Sequence, residues 1–144
     1  DLYLALVDRA SEEIVELVRA AIAGSTNNSE RVNAALGSFY EFVAQAGKSF
    51  RFVFESDLIG DAQVSKRIWK AHRDLAEAIG QSIAHDTRMP PERARLLGIS
   101  LVGLAQVGAR YWVGELRDEL SAQEASALIS TLAWRGVRGF PLAE

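Results

Sequence analysis

The sequence predicts an all-α protein, a helical bundle of about five long helices and one short helix. Apolar residues recur at spacings of three and four in five separate segments, which is the period of an α-helix. No segment alternates apolar and polar residues over the length of a strand, and β-hairpin turn pairs are absent. The 144 residues suit one domain with a buried core. We therefore expect a single domain over residues 1–144.

The first two helices are predicted from long apolar stripes. The first runs from about Leu2 to Ala23 and ends at the loop signal Gly24-Ser25-Thr26-Asn27-Asn28. The second runs from about Ser29 to Phe54, with Gly47 as a possible bend. A short helix is expected around residues 57–64. The stripes contain Tyr3, Val7, Ala10, Ile14, Leu17 and Ala21 in the first helix and Val32, Leu36, Phe39, Val43, Ala46, Phe50 and Val53 in the second.

The last three helices have clearer boundaries. The third is predicted from Ala62 to Ala84, and the polar run 85–89 ends it. Pro90-Pro91 begins the fourth, because proline is tolerated in a first helical turn. This helix, to about Val113, is apolar on nearly all sides and is therefore expected to be buried on all sides. The fifth begins at Ser121, which forms a predicted capping box with Glu124, and continues to about Val137.

Composition excludes several classes of function. The net charge of -3 gives no basic surface for a nucleic-acid backbone, and the chain has no cysteine for a disulfide or a thiolate metal site. The longest apolar run, Leu96 to Ala109, is shorter than the roughly 20 residues that span a bilayer. No paired Glu-x-x-His, His-Glu-x-x-His, nucleophile-elbow or phosphate-loop motif is present. We expect a cytoplasmic protein with no catalytic residues, no metal and no cofactor.

An unusual number of aromatic residues lies on the second to fourth helices. Large rings leave gaps more easily than aliphatic side chains, so a cavity is a reasonable expectation, although a filled core is the simpler interpretation. His72 lies on the apolar side of the third helix. It is either a core histidine with one hydrogen bond or a polar contact within a ligand cavity. Arg67, Lys70 and Arg73 form a short basic strip that we interpret as a solvated face rather than an anion site.

The first seven residues, Asp1-Leu2-Tyr3-Leu4-Ala5-Leu6-Val7, resemble the stretch that follows the recognition helix in TetR-family transcription repressors. The order of the later helices is also similar to the family's C-terminal regulatory domain. A long second helix carries aromatic residues, and a proline-initiated apolar fourth helix precedes a capped fifth. The chain starts inside a helical pattern without an initiator methionine, so we expect it to be a fragment whose N-terminal DNA-binding domain is absent.

The resemblance implies a one-component sensor that forms a homodimer, binds a small organic ligand and contacts DNA only through the absent domain. Ligand would move the first helix and change the spacing of two DNA-reading helices, which must match half-sites one helical turn apart. Pocket candidates are Phe39, Phe42, Phe50, Trp69, His72, Gln106 and Tyr111. The family's interface, formed by the last two long helices, gives the dimer candidates Leu97, Leu101, Leu104, Leu128, Leu132 and Trp134. The few polar groups among the pocket candidates favour an uncharged ligand.

Two other functions remain open at this point. The chain could be a helical protein-interaction module in which the aromatics fill the core, or a small α-helical enzyme of a type that its motifs do not reveal. An enclosed apolar cavity with one or two polar groups would favour the sensor over the interaction module. A catalytic pair within hydrogen-bond reach would favour the enzyme.

Overall fold

The computed structural model describes residues 2–46 and 62–137, and within these ranges it contains five α-helices and no strand. This confirms the predicted all-α class. The helices are α1 (Leu2–Ala23), α2 (Asn28–Ala46), α3 (Ala62–Thr87), α4 (Pro91–Tyr111) and α5 (Ala122–Val137), and a single π-helical turn, Trp112–Leu116, follows α4. Residues 47–54 of the predicted second helix and most of the predicted short helix lie outside the described residues.

Local side-chain hydrogen bonds explain where α2 and α5 begin. The predicted capping box of α5 is confirmed: the Glu124 backbone N–H donates to Ser121 Oγ at 3.0 Å, and the Ser121 N–H donates to Glu124 Oε1 at 3.2 Å. At α2 the Glu30 N–H donates to Asn27 Oδ1 at 2.9 Å, while Thr26 donates to the Glu30 carboxylate. The two bonds from Thr26 are the main cause that lowers the pKa of the Glu30 carboxyl. Both helices thus satisfy their first N–H groups locally.

The third helix ends later than the sequence predicts. It continues through Thr87, whose hydroxyl donates to the Ile83 carbonyl at 2.7 Å, and the chain then turns at Arg88 with φ 58°. None of the residues 85–87 breaks a helix strongly. An ion pair between Asp86 and Arg31 of α2 also holds this last turn in place. A tertiary contact thus extends the helix past its predicted end.

Helices α3 and α4 pack closely enough for their backbones to meet. A Cβ added at Gly98 would lie 2.5 Å from the Ala76 carbonyl oxygen, and one at Gly80 would lie 3.2 Å from the Ala94 carbonyl oxygen. Around this pair, α1 packs against α2 and α3, and α5 packs against α2. Val7, Tyr40 and Val43 are the largest side chains buried completely in the described core.

Helix α4 is not buried on all sides, so that expectation is wrong for the single chain. Its buried face carries Ala94, Gly98, Val102, Ala105 and Ala109, whereas Leu96, Val107 and Tyr111 are each more than half exposed. The reason is that α4 packs extensively only against α3. Within the described residues, the stretch 91–116 is long and apolar enough to cross a bilayer by length and composition, a test that core helices of soluble proteins also pass.

Candidate ligand-binding cavity

An apolar cavity of about 220 Å³ lies between the helices. All five helices contribute to its wall, which is lined mainly by aliphatic side chains and by the ring of Phe39. Representative wall residues are Ile14 and Val18 of α1, Leu36 of α2, Leu75 and Ile79 of α3, and Val102 of α4. We call this space the main cavity. Apolar spaces between helices with few polar groups are typical of small-molecule sites.

The main cavity is elongated along α3. The lining residues of this helix form one stripe along it: Ala71, His72, Leu75, Ile79, Ser82, Ile83, Asp86 and Thr87. At a rise of 1.5 Å per residue, the stripe from His72 to Asp86 extends about 21 Å. The two ends of the stripe carry polar groups, and its middle is apolar.

His72 and Gln106 form the polar group at one end. Their side chains are hydrogen-bonded, and the His72 ring meets Trp69 edge to face with ring centroids 5.7 Å apart. Burial lowers the pKa of His72; the bond to Gln106 opposes this shift and the nearby charge of Arg110 adds to it. The imidazole is therefore neutral at pH 7 and can both donate and accept a hydrogen bond.

An ion pair forms the polar group at the other end. Arg31 Nη1 of α2 donates to Asp86 Oδ2 of α3 at 3.0 Å and to Asn28 Oδ1 at 2.8 Å. The side chains of Arg31 and Asp86 are 28% and 21% exposed, so the pair lies between the cavity and solvent. All three residues line the main cavity.

A second, more open cavity of about 360 Å³ lies between α3 and α4 on the far side of His72. His72, Val102 and Gln106 line both cavities and form the wall between them. Trp69, which is 56% exposed, and Arg110 line the second cavity. The His72–Gln106 pair thus lies between the main cavity and the second cavity.

The predicted pocket residues are only partly brought together. Phe39, His72 and Gln106 line the main cavity, while Trp69 lines only the second one. Phe42 is half-buried against the core, and Tyr111 is 61% exposed; neither lines either cavity. Phe50 lies outside the described residues.

The predicted dimer residues divide into two groups. Leu128 and Leu132 of α5 are 61% and 59% exposed. Leu101, Leu104 and Trp134 are half-buried and line the main cavity, and Leu97 is also half-buried. Together with Leu96, Val107 and Tyr111 of α4, the two exposed leucines are the apolar residues of these helices that a partner would cover. We call these five residues the exposed apolar face.

Sequence reasoning missed the ion-paired end of the cavity. Asn28 and Arg31 precede Ala35 and Phe39 at helical spacing, so all four lie on the same side of α2. Because Asn28 and Arg31 are polar, a search for apolar stripes did not identify them as cavity residues. The basic strip on α3 is ion-paired at two of its three members, as expected of a solvated face: Arg67 binds Asp8 at 2.9 Å and Lys70 binds Asp74 at 2.7 Å.

The described residues contain no group of three or more side chains suited to a metal ion. Among them, His85 and Asp86 approach within 3.5 Å, but the His85 side chain is 85% exposed. This arrangement is a surface contact on a helix rather than a sheltered acid–base pair.

The chain is similar to a known transcription regulator. No family model matches the chain. The HTH-type transcriptional activator FasR of Mycolicibacterium smegmatis is 31% identical to it over 144 residues. The alignment covers 99% of this chain, which spans 64% of the relative's length. The similarity supports a role in transcription regulation.

Proposed function

We propose that the chain is the regulatory domain of a TetR-like cytoplasmic transcription regulator. A small, mainly apolar and uncharged ligand occupies the main cavity and alters DNA binding by a helix-turn-helix domain outside residues 1–144. The main cavity is the observation that carries this proposal, because an interaction module needs no enclosed space. The relative's name, a helix-turn-helix activator, supports the same class of function.

The cavity wall favours an uncharged ligand. Its middle is aliphatic, and the two charged side chains at its edge, Arg31 and Asp86, neutralise each other. A charged ligand would lose hydration without gaining an uncommitted counter-charge, and burial of an unpaired charge is costly.

In this proposal, helix α1 transmits the effect of ligand binding to the DNA-binding domain. Ile14, Val18 and Ile22 form one stripe on the cavity wall, so a ligand contacts α1 along about 12 Å of its length. The Asp8–Arg67 ion pair at 2.9 Å links the N-terminal half of α1 to α3. A shift of α1 would alter the separation of two DNA-reading helices in a dimer.

The exposed apolar face is the dimer interface in this proposal. Five large apolar side chains on α4 and α5 are each more than half exposed, and a second copy of the chain would remove them from water. The four-helix interface that the TetR resemblance implies would use these same two helices.

A thermal melt tests ligand binding. We expect apolar and aromatic neutral compounds to stabilise the chain, by about 2.7 kcal/mol at 100 times the dissociation constant. Ala35→Phe fills part of the cavity wall and should reduce the shift, whereas Ala20→Phe, on the exposed side of α1, should not. If no compound stabilises the chain, or only highly charged ones do, the proposed ligand site is wrong.

A fluorescence-anisotropy titration tests the link to DNA. The chain alone, with its net charge of -3, should show no sequence-selective binding at physiological salt. The full-length protein should bind its operator, and a ligand found in the melt should change that affinity. The experiment measures affinity, so it applies to repression as well as to activation. Selective binding by the isolated chain, or ligand-independent binding by the full-length protein, would contradict the proposal.

A further inference from the structure

We propose that the effector is rod-shaped, with an uncharged hydrogen-bonding end group held by Arg31 and Asp86 and an apolar body lying along α3. This inference rests on the proposed function and names the chemical class of the ligand. The observation behind it is the placement of an ion pair at one end of an elongated apolar cavity.

The shape of the ligand follows from the lining of α3. The main cavity follows one stripe of this helix for about 21 Å, from His72 to Asp86. Its volume, about 220 Å³, is small for that length, so the space is narrow. An extended chain fits this form, whereas a compact ring system of equal mass would leave both ends of the space empty and crowd the middle.

The position of the end group follows from exposure and hydrogen-bonding capacity. Within the described part of the chain, both bonds of the Arg31 guanidinium leave from Nη1, so Nε and Nη2 retain donor capacity. Asp86 receives Arg31 on Oδ2, and its Oδ1 lies 3.5 Å from His85 Nδ1, at the exposed side. At the opposite end His72 and Gln106 already bond to each other. A polar end group therefore finds more uncommitted partners, and keeps more of its hydration, at Arg31 and Asp86.

The neutrality of the end group follows from the pairing of the two charges. A carboxylate that approaches Arg31 is repelled by the Asp86 carboxylate, which lies 3.0 Å from the Arg31 guanidinium. An ammonium group that approaches Asp86 is repelled by Arg31. A hydroxyl or primary amide both donates and accepts, so it can bond to Asp86 and Arg31 together without displacing either. Alcohols and amides are therefore the end groups that this site favours.

Binding of four ten-carbon probes tests the inference. For the unmodified chain, decan-1-ol should bind more tightly than decanoate, decylamine or the compact ring alcohol cyclodecanol. Replacing both charges by apolar groups of similar size, in Arg31→Met with Asp86→Leu, should weaken decan-1-ol at least tenfold. The matched control is Arg95→Met with Glu77→Leu, which removes a 3.3 Å ion pair between α3 and α4 that does not line the main cavity.

Single substitutions distinguish an ion pair that contacts the ligand from one that only stabilises the fold, because only the first changes the order of affinity for charged probes. Arg31→Met leaves the Asp86 charge alone and should make decylamine bind more tightly than decanoate. Asp86→Leu should reverse that order, and Asp86→Asn provides the same test if the leucine variant does not fold. An unchanged order in these variants, or tighter binding of cyclodecanol than of decan-1-ol, would overturn the inference while leaving the cavity as a ligand site. Failure of every probe and of the wider compound panel would instead overturn the proposed function.

Discussion

At the scale of single residues, His72 shows how burial and hydrogen bonding set a charge state. Periodicity predicted its place on the inner side of α3 but left open whether it was a core residue or a cavity residue. The structure places it on the wall of both cavities, in a hydrogen bond with Gln106. Its depressed pKa has a measurable consequence for stability.

His72 should make the chain less stable in mild acid. Its pKa in the folded chain lies below the ordinary value of 6.5 because burial disfavours the imidazolium. As pH falls from 6.5 towards the depressed pKa, the unfolded chain takes up a proton that the folded chain does not, so the free energy of unfolding decreases. Below the depressed pKa both states are protonated and this dependence ends. Urea denaturation across this range measures the slope.

Substituting the two histidines one at a time separates the contribution of His72 to the pH dependence of stability from that of the other titrating groups. His72→Gln should reduce the slope near pH 6, whereas His85→Gln, with a side chain that is 85% exposed in the parent, should leave it unchanged. An equal slope in His72→Gln and the parent chain would contradict the assignment.

A buried serine offers a second residue-scale prediction. Ser11 of α1 is 7% exposed, and its hydroxyl has no hydrogen-bond partner among the described residues. Because a buried unsatisfied hydroxyl costs free energy, Ser11→Ala should stabilise the chain by about 1 kcal/mol. Ser126→Ala is the matched control: it is equally buried, but its hydroxyl donates to the Gln123 carbonyl at 3.1 Å. We expect a higher melting temperature for the first variant and no increase for the second.

At the scale of helices, two glycines set the distance between α3 and α4. A methyl group at Gly98 would meet the Ala76 backbone oxygen at 2.5 Å, and this oxygen cannot move without moving α3. The sequence of α4 contains several small residues, among them Gly98, Gly103 and Gly108. It could not specify which glycine lies at the contact, because the crossing point of two helices depends on their packing angle.

Gly98→Ala should destabilise the chain by roughly 1–3 kcal/mol, because overpacking must push the two helices apart. Gly37→Ala is the control, since a Cβ at Gly37 of α2 has no neighbour within 4 Å. That variant should gain up to about 1 kcal/mol from the better helix propensity of alanine. Chemical denaturation of both variants measures the difference. Similar effects of the two substitutions would show that α3 and α4 do not meet at Gly98.

At the scale of the whole molecule, the exposed apolar face is the surface that the proposed dimer would cover. Five large apolar residues on α4 and α5 are more than half exposed, whereas the faces of these helices towards α3 and α2 carry mostly small buried residues. The chain alone should therefore be a stable homodimer at tens of micromolar, with the mass measured by sedimentation or light scattering.

Leu132→Arg and Leu128→Arg should each convert this dimer into monomer or aggregate, because a partner would bury an unpaired charge. Leu17→Arg is the matched control: Leu17 is 40% exposed but lies on α1, away from the exposed apolar face. A parent chain that is monomeric at tens of micromolar, or dissociation by the control alone, would exclude this interface.

The sequence by itself determined the helical class, the bounds of α1, the capping box at Ser121 and the inner position of Phe39 and His72. These features depend on periodicity and on bonds between residues close in sequence, so a linear pattern contains them. The tertiary structure alone decided that Arg31 and Asp86 meet across 55 residues at the end of the cavity, and that Leu101 and Trp134 line it rather than lying fully exposed. These outcomes depend on how helices cross and pack, because residues far apart in sequence come together only when α2, α3, α4 and α5 enclose a common space.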